Sequence, residues 1–222
     1  MSEAESRLAL DGMGQKELSR RNFVKIAAGA GAALSAAGIG GVGFATNFAR
    51  AQGGQAAYTT YQGLGDAAIL QFAYQLELLE GTFYAEGVNA GVLSGNALTQ
   101  IAAIRDHEMA HADAIAGVLN ELGAAVPETP NFTYPQGVFT DPVAFLDLAA
   151  TFEPVGIGAY QGAAPALESK EILASAVSIH NSEGQHRVAI NILQGIVPSN
   201  NLAFGEALPF PEVQEAVAPF GL

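Results

Sequence analysis

The feature that most limits the fold of this chain is a pair of metal-binding residue types that occurs twice. Glu108 and His111 lie three residues apart, and so do Glu183 and His186. Side chains at this spacing share one face of a helix. The first pair stands in a stretch without Gly or Pro, with Ile104 and Ala112 among its apolar residues, which is typical of a helix. Each pair therefore presents a carboxylate and an imidazole together.

A single glutamate precedes each pair at almost the same interval. Glu77 is 31 residues before Glu108, and Glu153 is 30 residues before Glu183. Each of these single glutamates has a tyrosine seven residues later, two turns along the same helical face: Tyr84 and Tyr160. The pattern indicates a duplicated helix pair, in which each half offers one Glu and then Glu-x-x-His. We expect the two tyrosines to pack in the core rather than to act in redox chemistry.

Helical spacing and stop signals predict four long helices. They cover residues 67–86, 96–122, 142–164 and 169–193, with N-caps at Asp66 and Asp141 and stops at Gly87, Gly123 and Gly195. Short turns join the first to the second and the third to the fourth, whereas the proline-rich residues 124–140 form a long connection between them. This predicts an all-α fold, a ferritin-like antiparallel four-helix bundle with one long crossover between helices 2 and 3.

Four carboxylates and two imidazoles suit two divalent ions of the iron or manganese type. Carboxylates can bridge two ions and offset their charge, whereas Mg²⁺ does not favour imidazole and zinc sites usually hold fewer carboxylates. Glu80 is an alternative to Glu77 as the ligand from helix 1, although the shared tyrosine interval favours Glu77. His180, two turns before His186, either lines the bundle or is a packed or exposed side chain.

From Asp66 to Gly195 the pattern resembles the ferritin-like di-iron superfamily. The sequence HEMAHAD at residues 107–113 is similar to a bacterioferritin helix, and LELLEGTFY at residues 76–84 is similar to the exported, desiccation-associated ferritin-like subgroup. The resemblance implies six metal ligands: Glu77, Glu108, His111, Glu153, Glu183 and His186. It also implies that the glutamates of the two Glu-x-x-His motifs bridge the ions.

The chain departs from the pattern of these relatives near both motifs. Many relatives have Asp just before each motif glutamate, where this chain has His107 and Ser182. On an ideal helix His107 points roughly 100° away from Glu108 and is not expected to be a ligand. Pro154 follows Glu153 directly, which predicts a kink in helix 3. The C-terminal tail shows no match to the fifth helix of cage-forming ferritins.

The N-terminus resembles a twin-arginine export signal. Ser19, Arg20 and Arg21 are followed by Phe23 and Lys25, then by a soft apolar run over residues 26–44 and small residues at Ala49 and Ala51. An uncleaved membrane anchor is the alternative, but the six glycines of the apolar run make a poor membrane helix. We therefore expect residues 1–51 to be a cleaved signal and the protein to be periplasmic or extracellular.

The remaining chain divides into an N-terminal linker, the bundle and a tail. These span residues 52–65, 66–195 and 196–222, and the tail contains a short helix predicted from Pro211 to Val217. Residues 52–222 carry 3 basic and 18 acidic side chains, a formal charge of −15. Nucleic-acid binding is thereby disfavoured, because phosphate contacts need Lys and Arg. With no Cys, thiolate metal sites and disulfides are excluded.

These observations predict an exported protein that binds two Fe ions, or alternatively two Mn ions. With iron, we expect Fe(II) oxidation by O₂ or peroxide in protection against oxidative or desiccation stress. A dimanganese catalase is one alternative, and a non-enzymatic stress-associated bundle with an empty site is another. The expected partners are metal ions and O₂ or peroxide, with no stable membrane insertion once the signal is cleaved. A homodimer or a higher homo-oligomer is possible.

Overall fold

A computed structural model describes residues 57–222, and in this range the chain is helical without a strand. The predicted export signal (residues 1–51) and the first residues of the predicted linker lie outside this range. The helices of the described part are α1 (Asp66–Ala90), α2 (Gly95–Glu121), α3 (Pro142–Ala163), α4 (Lys170–Leu193) and α5 (Phe210–Val217). The prediction of an all-α ferritin-like bundle is confirmed, with the long crossover between α2 and α3.

Two helix starts follow the sequence signals directly. The Asp141 carboxylate accepts hydrogen bonds from the backbone N–H groups of Val143 (2.9 Å) and Ala144 (3.4 Å), and Pro142 is the first residue of α3. Ser169 caps α4 in the same way, since its hydroxyl accepts from the N–H of Ile172 at 3.3 Å. α3 continues through Pro154 to Ala163.

Two expectations about α1 were wrong. Gly87 does not end the helix, which continues to Ala90 and stops where Gly91 takes a left-handed conformation (φ 64°). Asp66 is not the N-cap, a position that Gly65 holds. The Asp66 carboxylate instead accepts from the N–H groups of Glu168 (2.8 Å) and Ser169 (2.9 Å). It thereby ties the start of α1 to the start of α4.

The helices pack as two pairs, α1 with α2 and α3 with α4, with further contacts between the pairs. An aromatic cluster fills one end of the core: Phe83 stacks on Phe145 with ring centroids 4.6 Å apart, and Phe152 meets Phe83 edge-on. α5 packs on α3 and buries Val213 and Val217. The tail is therefore part of the packed structure.

Within the described residues, one segment is long and apolar enough to cross a membrane by length and composition. It covers residues 142–166, that is α3 and the 3₁₀ turn after it, and 61% of its most apolar window is buried inside the protein. Core helices of bundles meet the same criterion, and this one carries the buried Glu153. The property is therefore weak evidence for a membrane span.

Candidate metal centre

The six predicted ligands converge at the middle of the bundle, and each of the four helices contributes. α1 and α3 supply one glutamate each, whereas α2 and α4 supply a glutamate and a histidine each. Five of the six residues are buried, and the side chain of His111 is 13% exposed. The duplication seen in the sequence is thus a pseudo-symmetric arrangement in space.

The donor atoms form two overlapping groups. One contains Glu77, Glu108, His111 and Glu183, and the other contains Glu108, Glu153, Glu183 and His186. Within each group, one donor atom per residue can be chosen so that all lie within 4.8 Å of one another. Glu108 and Glu183 belong to both groups. This is the geometry in which two carboxylates bridge two ions and the other four residues each serve one ion.

The two imidazoles face these carboxylates through Nδ1. His111 Nδ1 lies 3.1 Å from Glu77 Oε2, 3.3 Å from Glu108 Oε2 and 3.2 Å from Glu183 Oε1. His186 Nδ1 lies 2.8 Å from Glu108 Oε1 and 3.7 Å from an oxygen of both Glu153 and Glu183. Each imidazole therefore contacts the single glutamate of its own half and the motif glutamates of both halves.

The two tyrosines of the repeat hold the single glutamates from across the bundle. The Tyr84 hydroxyl, on α1, donates to Glu153 on α3. The Tyr160 hydroxyl, on α3, donates to Glu77 on α1. Both tyrosines are buried, as expected for core residues. They also fix one oxygen of each of these carboxylates, a role that the sequence did not reveal.

Glu80 adds a fifth buried carboxylate beside the six predicted ligands. Its side chain is buried, and its Oε2 atom has no hydrogen-bond partner. In the repeat, Glu80 corresponds to Gly156, since each lies three residues after the single glutamate of its half. A Cβ atom on Gly156 would lie 3.2 Å from Glu80 Oε1. Glu80 therefore uses space that the missing side chain leaves.

Burial and mutual repulsion shift the pKa values of the glutamates in the site. Desolvation, followed by neighbouring carboxylates such as Glu183 and Glu108, raises the pKa of Glu77, Glu80 and Glu153 well above the ordinary value. Glu108 behaves differently. Burial alone would raise its pKa, but contacts with the His111 and His186 imidazoles lower it to about 2. Without a metal, protons must therefore offset part of the negative charge.

The two histidines, as protonated imidazoles, offset part of the negative charge of the glutamates. Burial would lower the pKa of both imidazoles, but Glu108 and Glu183 more than compensate. The pKa of His111 rises to about 12 and that of His186 to about 10. Two divalent cations would replace these protons, and metal binding at such a site must release them.

Several donor atoms of the site are buried without a hydrogen-bond partner, which is a direct test of whether metal ions fit. Leaving such polar atoms unsatisfied costs free energy. The short contact of His186 Nδ1 with Glu108 Oε1 lacks hydrogen-bond geometry, so neither atom is satisfied. The unpartnered atoms are Glu80 Oε2, Glu108 Oε1, Glu153 Oε2, both oxygens of Glu183 and His186 Nδ1. Lone pairs aimed at a common centre are what a pair of divalent ions would use.

His107 and Ser182, which stand where many relatives have Asp, both contact the far side of His186. His107 Nδ1 lies 3.0 Å from His186 Nε2, and Ser182 Oγ lies 3.3 Å from the same atom. His107 belongs to neither donor group. The two residues orient the imidazole whose Nδ1 faces the carboxylates. The 100° rotation between neighbouring helix residues indicated that His107 is not a ligand. It could not predict this contact, which depends on where α4 lies.

His180 lies outside both donor groups. Burial lowers its pKa, and its Nε2 atom is buried without a partner. It borders one cavity between α3 and α4 and another that α3, α4 and the C-terminal tail line.

Four helices joined by one long crossover, with carboxylates and imidazoles in two overlapping groups, define a ferritin-like metal protein. The family model of the ferritin-like domain matches residues 65–195, more than half of the chain. The chain belongs to this ferritin-like family. A comparison with curated proteins finds no match.

Proposed function

We propose that this protein binds two iron ions between its four central helices and oxidises Fe(II) with O₂ or peroxide. The observation that carries the proposal is that Glu108 and Glu183 belong to both donor groups. Shared carboxylates keep two ions close enough to act on one oxidant molecule. Each ion would also have one imidazole and one carboxylate of its own, a donor set that suits Fe and Mn.

The chemistry that bound iron supplies is electron transfer to the oxidant, with Fe(II) as the substrate. Two Fe(II) ions give up one electron each, and O₂ takes both electrons with two protons to become H₂O₂. With H₂O₂ as the oxidant, the same two electrons and two protons yield two water molecules. The four buried glutamates of the donor groups carry four negative charges when ionised, which would offset the charge of two bound Fe(II) ions.

The residues around the donors position them and exclude water. Tyr84 and Tyr160 each hold one oxygen of a single glutamate, and the other oxygen of that carboxylate belongs to the donor groups beside His186 and His111. His107 and Ser182 orient His186 from behind. Phe83 and Phe152 close the core beside Tyr84 and exclude water at that end. The chain thus offers a preorganised site on rigid helices.

Metal stoichiometry tests the proposal. We expect two iron ions for each wild-type chain after anaerobic loading with Fe(II), measured by elemental analysis. Glu108→Gln and Glu183→Gln should each lose both ions, because each removes a shared carboxylate. His111→Gln and His186→Gln should each lose one ion. Glu121→Gln, an exposed glutamate at the end of α2, is the matched control and should retain both.

Three results would contradict the proposal. The first is an empty wild-type site after loading, which favours a structural stress-associated bundle. The second is unchanged stoichiometry in both Glu108→Gln and Glu183→Gln, which removes the ligand assignment. The third is manganese in the natively produced protein together with peroxide dismutation, which favours a dimanganese catalase.

We also propose that the chain is exported by the twin-arginine route, with the metal protein acting outside the cytoplasm. The support is the sequence SRRNFVK at residues 19–25, which resembles the signal of that route. That route carries folded proteins, which suits a metal site assembled before export. Replacing Arg20 and Arg21 with Lys should leave the protein in the cytoplasm, as measured by fractionation. Unchanged export of this variant would contradict the proposal.

A further inference from the structure

Three cavities in the described part of the protein share the same two lining residues, Tyr160 and Ala176. The smallest has a volume of about 30 Å³ and reaches Leu76. A second, of about 60 Å³, lies beside Ile115 on α2. The third, of about 180 Å³, includes Val177, whose side chain is 54% exposed. Tyr160 and Ala176 therefore border all three cavities.

Tyr160 connects these cavities to the metal centre. Its hydroxyl donates to Glu77, one of the predicted ligands, and Leu76 is the neighbour of that residue in the chain. Tyr160 thus borders all three cavities and also contacts the donor group that contains Glu77 and His111. Small molecules in the cavities would approach the centre from this side.

The other half of the repeat is filled at the equivalent positions. Ala176 on α4 corresponds to Ile101 on α2 when the motif glutamates are aligned. Ala159 on α3 corresponds to Phe83 on α1 when the single glutamates are aligned. Ile101 and Phe83 are fully buried. The two halves thus share their ligands but differ in the volume packed around them.

Packing around Tyr84, the counterpart of Tyr160, is dense. Its ring contacts Phe83 and Phe145, with ring centroids 5.1 and 6.2 Å away. Gly87 lies so close to Phe145 that an added Cβ would be 2.2 Å from an atom of the Phe145 ring. An apolar molecule has room beside Tyr160 that it lacks beside Tyr84.

The lining of the cavities selects for apolar molecules. The smallest cavity is lined by aliphatic and aromatic side chains, and its polar groups are the hydroxyls of Tyr61 and Tyr160. Ser175 borders the second cavity, and Gln161 and His180 border the third one. A cavity needs only about 10–15 Å³ to hold one water-sized molecule, so all three are large enough for O₂. H₂O₂ would lose hydrogen bonds to water there, at a cost of a few kcal/mol.

We propose that dioxygen reaches the metal centre through these cavities, past Ala176 and Tyr160. This inference rests on the proposed function and names O₂, rather than peroxide, as the oxidant that the fold admits. The centre is then entered from the side of Glu77 and His111. The aromatic packing around Tyr84 closes the opposite side.

Xenon binding tests the cavities without any metal, because xenon is apolar and occupies dry cavities of proteins. Metal-free protein under xenon pressure should bind xenon between Tyr160 and Ala176, as seen by crystallography. Ala176→Ile, which introduces the residue of the other half, should abolish this binding. Ala174→Ile is the matched control, because it makes the same change at an exposed position of α4.

Oxidation kinetics test the route. With iron bound, Ala176→Ile should slow Fe(II) oxidation at low O₂ by about tenfold, equivalent to about 1.4 kcal/mol of barrier. The rate at which H₂O₂ oxidises Fe(II) in Ala176→Ile should match the rates in wild type and in Ala174→Ile, and so should its iron content. Circular dichroism and iron content confirm that the variants are folded.

Each failure has its own meaning. A wild-type chain that binds no metal overturns the proposed function, and this inference falls with it. If iron binds but xenon does not, only the inference is overturned. The same holds if Ala176→Ile leaves the O₂ rate unchanged or slows both oxidants equally.

Discussion

At the scale of single residues, Glu80 and Gly156 break the symmetry of the centre. The two halves match in their single glutamates, their motifs and their tyrosines, but at this position one half has a carboxylate and the other has no side chain. A Cβ at position 156 would lie 3.2 Å from Glu80 Oε1 and 3.5 Å from Glu183 Oε2. The first distance is tighter than ordinary packing and the second is ordinary. The absence of a side chain at position 156 therefore mainly leaves room for Glu80.

We predict that Gly156→Ala destabilises the metal-free protein, and that Glu80→Ala relieves the effect. Ala gains up to about 1 kcal/mol over Gly within a helix. Moving the buried Glu80 aside by a few tenths of an ångström costs about 1–3 kcal/mol, which leaves a net destabilisation of up to about 2 kcal/mol. Urea unfolding of both single variants and the double variant measures their interaction. If the two changes add within about 0.3–0.5 kcal/mol, the contact is not the reason for Gly156.

At the scale of helices, periodicity and capping residues predicted where the long helices lie, because these signals are local. Asp141 with Pro142 at the start of α3 is one example. The fourth helix was predicted to begin at Ser169, which is the N-cap of α4. The end of α1 was mispredicted because the role of Gly87 is not local. This glycine has a helical conformation and admits the ring of Phe145 from α3. The sequence near Gly87 does not distinguish a glycine that leaves room for a side chain of another helix from a glycine that ends a helix.

We predict opposite effects for two Gly→Ala changes inside helices. At Gly87 the new Cβ would lie 2.2 and 2.6 Å from Phe145 ring atoms, so Gly87→Ala should destabilise the protein by about 1–3 kcal/mol. At Gly117, in α2, nothing lies within 4 Å of the added atom. Gly117→Ala should therefore stabilise the protein by up to about 1 kcal/mol. Chemical unfolding measures both, and equal shifts in the same direction would contradict the role assigned to Phe145.

At the scale of the whole molecule, duplication made the convergence of these six side chains predictable, because two weak motifs at equal spacing are specific where one is not. The contacts between the halves were not predictable in the same way. Tyr84 binds Glu153 and Tyr160 binds Glu77, each across the bundle. These pairs depend on how α1 and α3 face each other, which no local pattern records. The cavities beside Tyr160 depend likewise on packing between α3 and α4.

The charge of the centre makes the stability of the whole bundle depend on pH and metal. In the metal-free protein the pKa of His186 is about 10 and that of His111 about 12, against about 6.5 in an unfolded chain. Above pH 6.5 the folded state therefore holds protons that the unfolded state has lost. Stability must fall as pH rises from about 6.5 to 10. The raised pKa values of Glu77 and Glu153 also make stability fall as pH rises, and this fall begins near the ordinary carboxyl pKa.

Glu108 acts in the opposite direction but in a different range. Its pKa of about 2 contributes stability above the ordinary carboxyl pKa, near 4.3, and this is lost as pH falls toward 2. Its contribution is complete at neutral pH. The histidines and the raised carboxyls therefore set the trend between pH 6.5 and 10.

We predict that the free energy of unfolding of the metal-free protein falls between pH 6.5 and 9, and that metal increasingly offsets this loss. Binding needs neutral imidazoles, so affinity for metal rises with pH. A free metal concentration 100 times the dissociation constant adds about 2.7 kcal/mol for each site. Urea unfolding with and without Fe(II), under anaerobic conditions, measures the difference. His111→Gln with His186→Gln should flatten the metal-free profile, whereas Glu121→Gln should not. A profile that is equally steep without the two histidines would show that they do not hold the protons of the empty centre.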